Sequence, residues 1–225
     1  MNLPHPEDFI DIHTHGGKSI DAVYIIENLM AHEEITPGNI PEHACSFGIH
    51  PWYLNEENLD HLLSRVKAVT GFPNVLAIGE AGFDKLRGPS MELQRTAFEQ
   101  QIVISEKIGK PVVIHCVRAW GELLETFKKL KPTMPWLIHG FRGNLELANQ
   151  LLSKGMYLSF WFDYAIKPES ANLLRNLSRN RIFLETDGAD IDIRDIYNKV
   201  AKDLNMSVDE LKLLILGNFK TLFGL

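Results

Sequence analysis

Short apolar segments alternate along this chain with segments of helical periodicity, and this alternation limits the folds that the chain can adopt. The apolar run Val75–Glu80 is typical of a strand that is buried on both faces. The segment after it, from Pro89 to Gly109, carries apolar residues at the spacing of an amphipathic helix. About eight strand candidates alternate with helices in this way, which predicts an α/β fold with a parallel sheet, best satisfied by a (β/α)8 TIM barrel.

The stretch between the first two strands departs from a regular barrel. Ser19 to Met30 has β-branched and aromatic residues at its centre, so we predict a short buried strand there, with a helix as the alternative. The barrel is therefore expected to be irregular, or to lack a helix, after its first strand. No internal repeat, low-complexity tract or linker divides the sequence, so we predict a single domain over residues 1–225.

Composition and charge restrict the classes of function. With 45% hydrophobic and 23% charged residues, the chain has an ordinary globular composition. Its formal net charge of -6 argues against broad, sequence-blind adsorption to nucleic acid, but is compatible with a phosphate bound locally by a metal.

Cys45 and Cys116 lack the spacing of a zinc or disulfide framework. Since we find no secretory signal and no apolar run of membrane-spanning length, we expect a cytoplasmic protein without a membrane partner.

Ionisable residues close several of the predicted strands. These residues are His15, His50, Glu80, His115, His139 and Asp187. In a parallel barrel the carboxyl ends of all strands lie on one rim, so these side chains are expected to converge there. His13 lies on the same face of its strand as His15, because side chains alternate faces in an extended strand. An isolated pair of this kind is more often an ordinary feature of a half-buried strand, but the joint occurrence favours a metal site.

The residue types in this set also indicate a class of chemistry. Imidazole and carboxylate ligands suit zinc, manganese, nickel or iron, whereas a histidine-rich set makes magnesium less natural. Two such ions lower the pKa of a bridging water, supply hydroxide near neutral pH and polarise the oxygen under attack. A neighbouring carboxylate can take the proton of that water. The pattern therefore predicts hydrolysis.

Seven segments of the sequence, in order, resemble the TatD family of metal-dependent hydrolases, which belongs to the amidohydrolase-like barrels. The segments are Phe9–His15, Gly48–Pro51, Ala77–Asp84, Pro111–His115, Ile138–Phe141, Leu184–Asp187 and Leu222–Leu225. They extend over nearly the whole chain, and it is their joint order, more than any single segment, that carries the resemblance. The resemblance implies two divalent metal ions, with zinc, manganese, nickel and magnesium as the candidates.

Roles for the first ion follow from the resemblance. It implies that Asp187 holds this ion together with His13 and His15. Asp187 is also expected to be a catalytic residue, acting as the acid–base group.

Roles for the second ion follow in the same way. The resemblance implies that Glu80, the other expected catalytic residue, bridges to an ion that His115 and His139 hold. His50 is not a direct ligand in this scheme. We interpret it as a residue that supports the ligands or contacts a substrate phosphate, with a capped strand end as the alternative.

The resemblance also implies a substrate class. The family is associated with phosphodiester hydrolysis, chiefly exonucleolytic DNase activity, so DNA or another phosphodiester is the expected substrate, without an obligate protein partner. Some relatives act on D-aminoacyl-tRNA, which makes an ester or amide hydrolase the first alternative. A metal-containing barrel that binds nucleic acid or a partner without catalysis is the second.

Several residues at positions expected to affect substrate binding depart from the family pattern. Cys116 and Val117 stand where the family usually has serine and arginine, and Arg118 lies one position further on. Arg118, Lys85 and Arg142 follow ligand-bearing strands and could neutralise a phosphate, although each could equally be a solvated loop charge.

Aromatic residues lie near the same strand ends. Phe83, Phe141, Trp161 and Phe162 could stack a nucleobase. The alternative is packing in the core or at the rim, which is the more common role of such side chains.

Overall fold

The structure of the chain is a computed structural model that describes residues 3–17, 20–36, 38–165 and 167–225. Its strands follow chain order in the sheet, and the pairs β1–β2, β3–β4, β4–β5, β6–β7 and β7–β8 are parallel. The strands are β1 (Phe9–Thr14), β2 (Val23–Met30), β3 (Cys45–Gly48), β4 (Val75–Asp84), β5 (Val112–Val117), β6 (Trp136–Ile138), β7 (Tyr157–Trp161) and β8 (Ile182–Glu185). The alternation predicted from the sequence is therefore present.

The helices lie between and after these strands. They are α1 (Leu59–Val69), α2 (Met91–Ile108), α3 (Trp120–Leu130), α4 (Leu145–Ser153), α5 (Phe162–Ala165), α6 (Pro168–Asn176), α7 (Ile193–Leu204) and α8 (Val208–Phe223). Short 3-10 turns occupy Pro51–Tyr53 and Arg179–Arg181. Within the described ranges, no helix is both long enough and apolar enough to cross a membrane.

The chain divides into two compact units. Unit 1 is Asn28–Trp136, and unit 2 combines the residues up to Glu27 with Leu137–Leu225. The prediction of a single domain over residues 1–225 is not decided by this division and stays a prediction.

Unit 1 is built around β4. Every residue of this strand is buried, as expected for a strand covered on both faces. The predicted helix after it begins at Met91, because the Ser90 side chain caps the helix by accepting a bond from the Leu93 N–H, and it ends at Gly109 in the left-handed conformation. Burial of the large apolar side chains of this core stabilises the fold by about 1.5–3 kcal/mol per side chain.

Unit 2 brings the first strand beside the last one. The Tyr197 hydroxyl of α7 donates to the Ile10 carbonyl at 3.0 Å and accepts from the Ile10 N–H at 3.1 Å, which ties α7 to β1. Ser207 is the N-cap of α8, since its side chain and that of Glu210 form a reciprocal capping box at the start of this helix.

The segment between β1 and β2 contains no helix among its described residues, 15–17 and 20–22. The predicted strand is present as β2, although Ser19, where that prediction began, lies outside the described residues. Unit 2 contains a cavity of about 480 Å³, lined by residues of β1 and β2, of the segments that follow β1 and β8, and of α7, among them Asp11, His15 and Ile193.

Candidate metal centre

Three of the predicted ligands meet in unit 2. His13 is at the end of β1, His15 follows it, and Asp187 follows β8. The Asp187 Oδ1 atom lies 3.6 Å from His13 Nε2 and 3.4 Å from His15 Nε2, and one ligand atom of each residue lies within 4.8 Å of the others. The alternation of the extended strand thus delivers both imidazoles to one carboxylate.

The spacing of these atoms fits a shared ion. A zinc-type ion holds nitrogen and oxygen ligands at about 2.0–2.2 Å, which places neighbouring ligand atoms of a tetrahedral site about 3.3–3.5 Å apart. The two histidine–aspartate separations of 3.4 and 3.6 Å are close to this value and longer than a typical hydrogen bond. The donor types and their spacing are therefore those of a divalent metal site.

A buried network fixes the position of Asp187. Its backbone N–H donates to the His13 carbonyl at 3.1 Å, and the preceding Thr186 donates from its N–H and its hydroxyl to the Asp11 carboxylate at 3.1 and 2.5 Å. Burial raises the pKa of Asp11 to about 7, although the two hydrogen bonds from Thr186 act to lower it. Our sequence reasoning assigned no role to Asp11, although side-chain alternation places it on the same face of the strand as His13 and His15.

Gly188 allows His15 to approach the segment after β8. A Cβ atom built on Gly188 would lie 2.9 Å from the His15 Cβ, and Gly188 has a φ of +72°. We expect Gly188→Ala to weaken metal binding by about tenfold or more. Gly155→Ala is the matched control, because Gly155 has a φ of +84° but no atom within 4 Å of the added Cβ.

Both glycine variants should lose about 1–2 kcal/mol of stability from the left-handed backbone. Thermal unfolding and metal titration separate the two effects. Equal metal affinity in the two variants would show that the contact with His15 is unimportant.

His139 also belongs to unit 2. Its ring centroid lies 4.3 Å from that of His13, and its Nδ1 lies 3.4 Å from Glu185 Oε1. Glu185 is fully buried and accepts bonds from the Gly140 N–H at 2.7 Å and from the Ser159 hydroxyl. A carboxylate beside one ring nitrogen fixes the ring of a metal-binding histidine. Our sequence reasoning overlooked this role of Glu185.

A second group of possible ligands is present in unit 1. His50 follows β3, while Glu80 and His115 lie on β4 and β5, and all three are buried. Glu80 Oε1 lies 2.6 Å from His115 Nδ1 and 3.3 Å from His50 Nε2. The structure therefore brings together the predicted ligands Glu80 and His115 within unit 1, with His50 beside them.

Two polar residues that the sequence analysis did not select hold Glu80. The Asn28 side-chain oxygen accepts from the Glu80 N–H at 2.9 Å and from the Ser46 hydroxyl at 3.0 Å, and the Asn28 amide lies 3.4 Å from Glu80 Oε2. Asn28 and Ser46 are buried, so this network also satisfies groups that would otherwise be costly to bury.

We expect Asn28→Ala to lower metal affinity or turnover by about 10- to 100-fold, because it removes both contacts that orient Glu80. Ser46→Ala is the matched control, since it removes only the bond to Asn28 and should have a much smaller effect. Metal titration and steady-state kinetics of the two variants check this. Equal effects would argue against an orienting role for Asn28.

Asp84 is a further acidic residue in this part of unit 1. Its Oδ2 accepts from the Trp52 indole N–H at 2.6 Å and lies 3.2 Å from His115 Nε2. Burial acts to raise the pKa of Asp84, but the hydrogen bonds from Trp52, the Leu86 N–H and His115 outweigh it and hold the pKa below its usual value. Asp84 is thus an ionised carboxylate in contact with a predicted ligand.

The contacts of His50 favour a supporting role. Its Nδ1 accepts from the Trp52 backbone N–H at 3.1 Å. A neutral imidazole that accepts at Nδ1 carries its proton on Nε2, and Nε2 faces Glu80 Oε1. In this tautomer His50 donates to Glu80 rather than binding an ion. The interpretation of His50 as a residue that is not a direct ligand stays a prediction that this geometry supports.

The three predicted phosphate-binding cations have different surroundings. Lys85 pairs with Glu122 at 2.7 Å, so its charge is already partly compensated. Arg118 is exposed just beyond β5. The guanidinium of Arg142 lies 3.7 Å from the centroid of the Trp161 ring.

Two of the four aromatic candidates for base stacking are buried. Phe83 and Phe141 are 0% and 1% exposed, so they cannot stack a base, and the packing alternative holds for them. Trp161 and Phe162 are half-buried, and the Trp161 indole N–H donates to the Thr186 carbonyl at 3.1 Å.

Comparison with known proteins identifies the family. A family model described as TatD related DNase matches residues 30–224. The chain belongs to this family. A TatD relative from Cronobacter turicensis, named 3'-5' ssDNA/RNA exonuclease TatD, is 32% identical over 180 residues, which cover 73% of this chain and 68% of the relative. Another relative, the uncharacterized metal-dependent hydrolase YcfH of Escherichia coli K12, is 28% identical over 197 residues, which cover 79% of this chain and 72% of YcfH.

A solved structure supports the TatD fold. The crystal structure of YjjV, a TatD homologue from Escherichia coli K12, matches with a TM-score of 0.79 and 19% identity, covering 98% of this chain and 100% of that one. This match confirms the predicted (β/α)8 fold class. The predicted family and the class of metal-dependent hydrolase are likewise confirmed.

Proposed function

We propose that this TatD protein is a phosphodiesterase that removes nucleotides from an end of single-stranded nucleic acid, with DNA as the principal substrate. The observation that carries the proposal is the convergence of His13, His15 and Asp187 at the separations of ligands around one ion. The 3'-5' ssDNA/RNA exonuclease of Cronobacter turicensis, at 32% identity, supports the substrate class.

The proposed cofactors are two divalent ions, chosen among zinc, manganese, nickel and magnesium. The group in unit 2 would hold one ion, and Glu80 and His115 in unit 1 would be ligands of the other. Bound ions of this kind supply positive charge against a phosphodiester and lower the pKa of a water. The bridging role of Glu80 and the contribution of His139 to the second ion remain part of the proposal.

The side chains of the protein position the substrate and move the proton. Asp187 takes the proton of the attacking water through its carboxylate and returns it to the leaving oxygen. Arg118 and Arg142, both exposed, neutralise phosphate oxygens of the strand. Lys85 contributes less, because Glu122 already pairs with it. His50 orients Glu80 and, through it, the metal ligands.

The test uses a single-stranded DNA oligonucleotide with a fluorescent label at either end. Protein stripped with a chelator is assayed alone and after addition of each of the four metals, and products are separated by length. We expect metal-dependent shortening from one end, with release of mononucleotides. Inertness towards DNA and RNA with every metal, together with hydrolysis of a D-aminoacyl ester, would replace the proposal by the ester-hydrolase alternative.

A further inference from the structure

Exposed aromatic and apolar side chains are concentrated beside the unit 1 ligands. Trp52 and Tyr53 are 37% and 38% exposed, and Leu86, in the loop after β4, is 64% exposed. Large apolar side chains are usually withdrawn from water, so neighbouring exposed ones often mark a binding surface. Together with Arg87 they form what we call the indole surface: Trp52, Tyr53, Leu86 and Arg87.

The indole surface is held rigidly. The Trp52 indole N–H donates to Asp84 Oδ2, and the Leu86 and Arg87 backbone N–H groups donate to Asp84 Oδ1 at 2.7 and 3.0 Å. A Cβ on Gly88 would lie 2.8 Å from the Pro51 carbonyl oxygen, which shows how closely the two loops pack. One carboxylate thus fixes three members of the surface, so little conformational entropy is lost when a ligand binds there.

Arg87 gives the surface the character of a nucleic-acid site. Its guanidinium lies over the Trp52 ring, 4.0 Å from the centroid. The His32 ring stacks on the ring of Tyr53, the residue next to Trp52, with ring centroids 3.7 Å apart and an angle of 17° between the ring planes. Aromatic faces combined with arginine are the elements with which proteins bind single strands, because bases stack on the rings and the cation pairs with phosphate.

The indole surface is continuous with the candidate metal ligands of unit 1. The Asp84 oxygen that accepts from Trp52 also lies 3.2 Å from His115 Nε2, and the Trp52 ring lies 5.7 Å from that of His115 and 4.8 Å from that of His50. A base on this surface would therefore lie within about one nucleotide of the ligands.

We propose that the indole surface binds the bases of a single-stranded nucleic-acid substrate, with Trp52 and Tyr53 as stacking platforms and Arg87 against the strand's phosphates. This inference rests on the proposed phosphodiesterase function and specifies how that activity selects single strands. Arg87, over the Trp52 ring, supplies a positive charge for a polyanion, whereas two copies of this chain, each with a formal net charge of -6, repel each other.

The test compares two strands of equal length and charge: oligothymidylate and a strand with abasic residues at every position. Both carry phosphorothioate linkages to slow cleavage, and binding to metal-loaded protein is measured by fluorescence anisotropy. We expect the wild type to bind the base-containing strand about tenfold or more tightly than the abasic one. Equal affinities would overturn the proposal.

Matched variants assign the preference to Trp52. Trp52→Phe and Trp52→Leu both lose the N–H bond to Asp84, so any disturbance of the metal ligands is common to them, but only phenylalanine keeps an aromatic face. We expect Trp52→Phe to retain most of the base preference and Trp52→Leu to lose most of it. Val103→Ala, at a 57% exposed apolar position on α2, should behave as the wild type. The same preference in Trp52→Leu and Trp52→Phe would overturn the proposal.

A base-free substrate separates this inference from the proposed function. Hydrolysis of methyl p-nitrophenyl phosphate by the metal-loaded wild type and by Trp52→Leu requires the phosphodiesterase chemistry but no base stacking. If the wild type cleaves neither this ester nor DNA, the proposed function fails. If it cleaves both without preference for base-containing strands, only the indole surface proposal fails.

Discussion

Replacement of Glu80 by alanine should lower the rate of DNA hydrolysis at saturating metal by more than about 100-fold, since changes to residues that merely support ligands already cost about 10- to 100-fold. Glu80 Oε1 lies 2.6 Å from His115 and 3.3 Å from His50, so it is the shared partner of both imidazoles. Its removal takes away a proposed ligand of both ions. Steady-state kinetics over a range of metal concentrations, with metal content measured on the same samples, check the prediction.

Two controls accompany Glu80→Ala. Glu92→Ala removes an exposed carboxylate at the start of α2 and should leave turnover unchanged. His50→Ala should retain bound metal and act mainly through a higher KM, because Asn28 still orients Glu80 in this variant and the expected contact of His50 with a substrate phosphate is lost. Near-normal turnover of Glu80→Ala at saturating metal would contradict the site assignment.

Asp187→Asn should lower the rate of DNA hydrolysis by a factor similar to that of Glu80→Ala. It should also lose one bound ion per chain. The substitution preserves the shape of the side chain and removes the charge that faces His13 and His15. Asparagine tolerates left-handed backbone as aspartate does, so the φ of +53° at this position is retained. The fold should therefore be intact, and the effect should lie in metal binding and proton transfer.

Asp190→Asn is the control for Asp187→Asn, because Asp190 is an exposed carboxylate of the same segment. It should keep full metal content and turnover. Thermal unfolding and circular dichroism of both variants establish that they are folded. If Asp187→Asn binds metal and cleaves DNA as the wild type does, then the three unit 2 residues are not a catalytic metal site.

The sequence allowed prediction of residues whose position follows from local geometry. Strand alternation places His13 and His15 on one face, and Asp187 follows the end of β8, where such barrels carry chemistry. Asp84 was overlooked because the apolar run ends at Glu80, which made the strand seem shorter than it is. In the structure β4 continues to Asp84, and the even spacing puts both carboxylates on the same side of the strand.

Residues that act through tertiary contacts could not be predicted in this way. Asn28 and Ser46 lie on different strands from Glu80, and their bonds depend on how three strands align. The burial of Phe83 and Phe141 likewise follows from packing that a strand-end position does not reveal. The sequence analysis assigned no role to Trp52, and its bond to Asp84 requires the two loops to be fixed against each other.

Metal content measured against activity shows whether this protein is a two-metal phosphodiesterase. The protein is stripped with a chelator, reconstituted separately with zinc, manganese, nickel and magnesium, and examined by elemental analysis and by nucleotide release from single-stranded DNA. We predict that two ions bind per chain with at least one of these metals, and that nucleotide release rises in parallel with occupancy and disappears on stripping. Undiminished DNA hydrolysis by the metal-free protein, or no bound ion with any of the four metals, would rule out a metal-dependent phosphodiesterase.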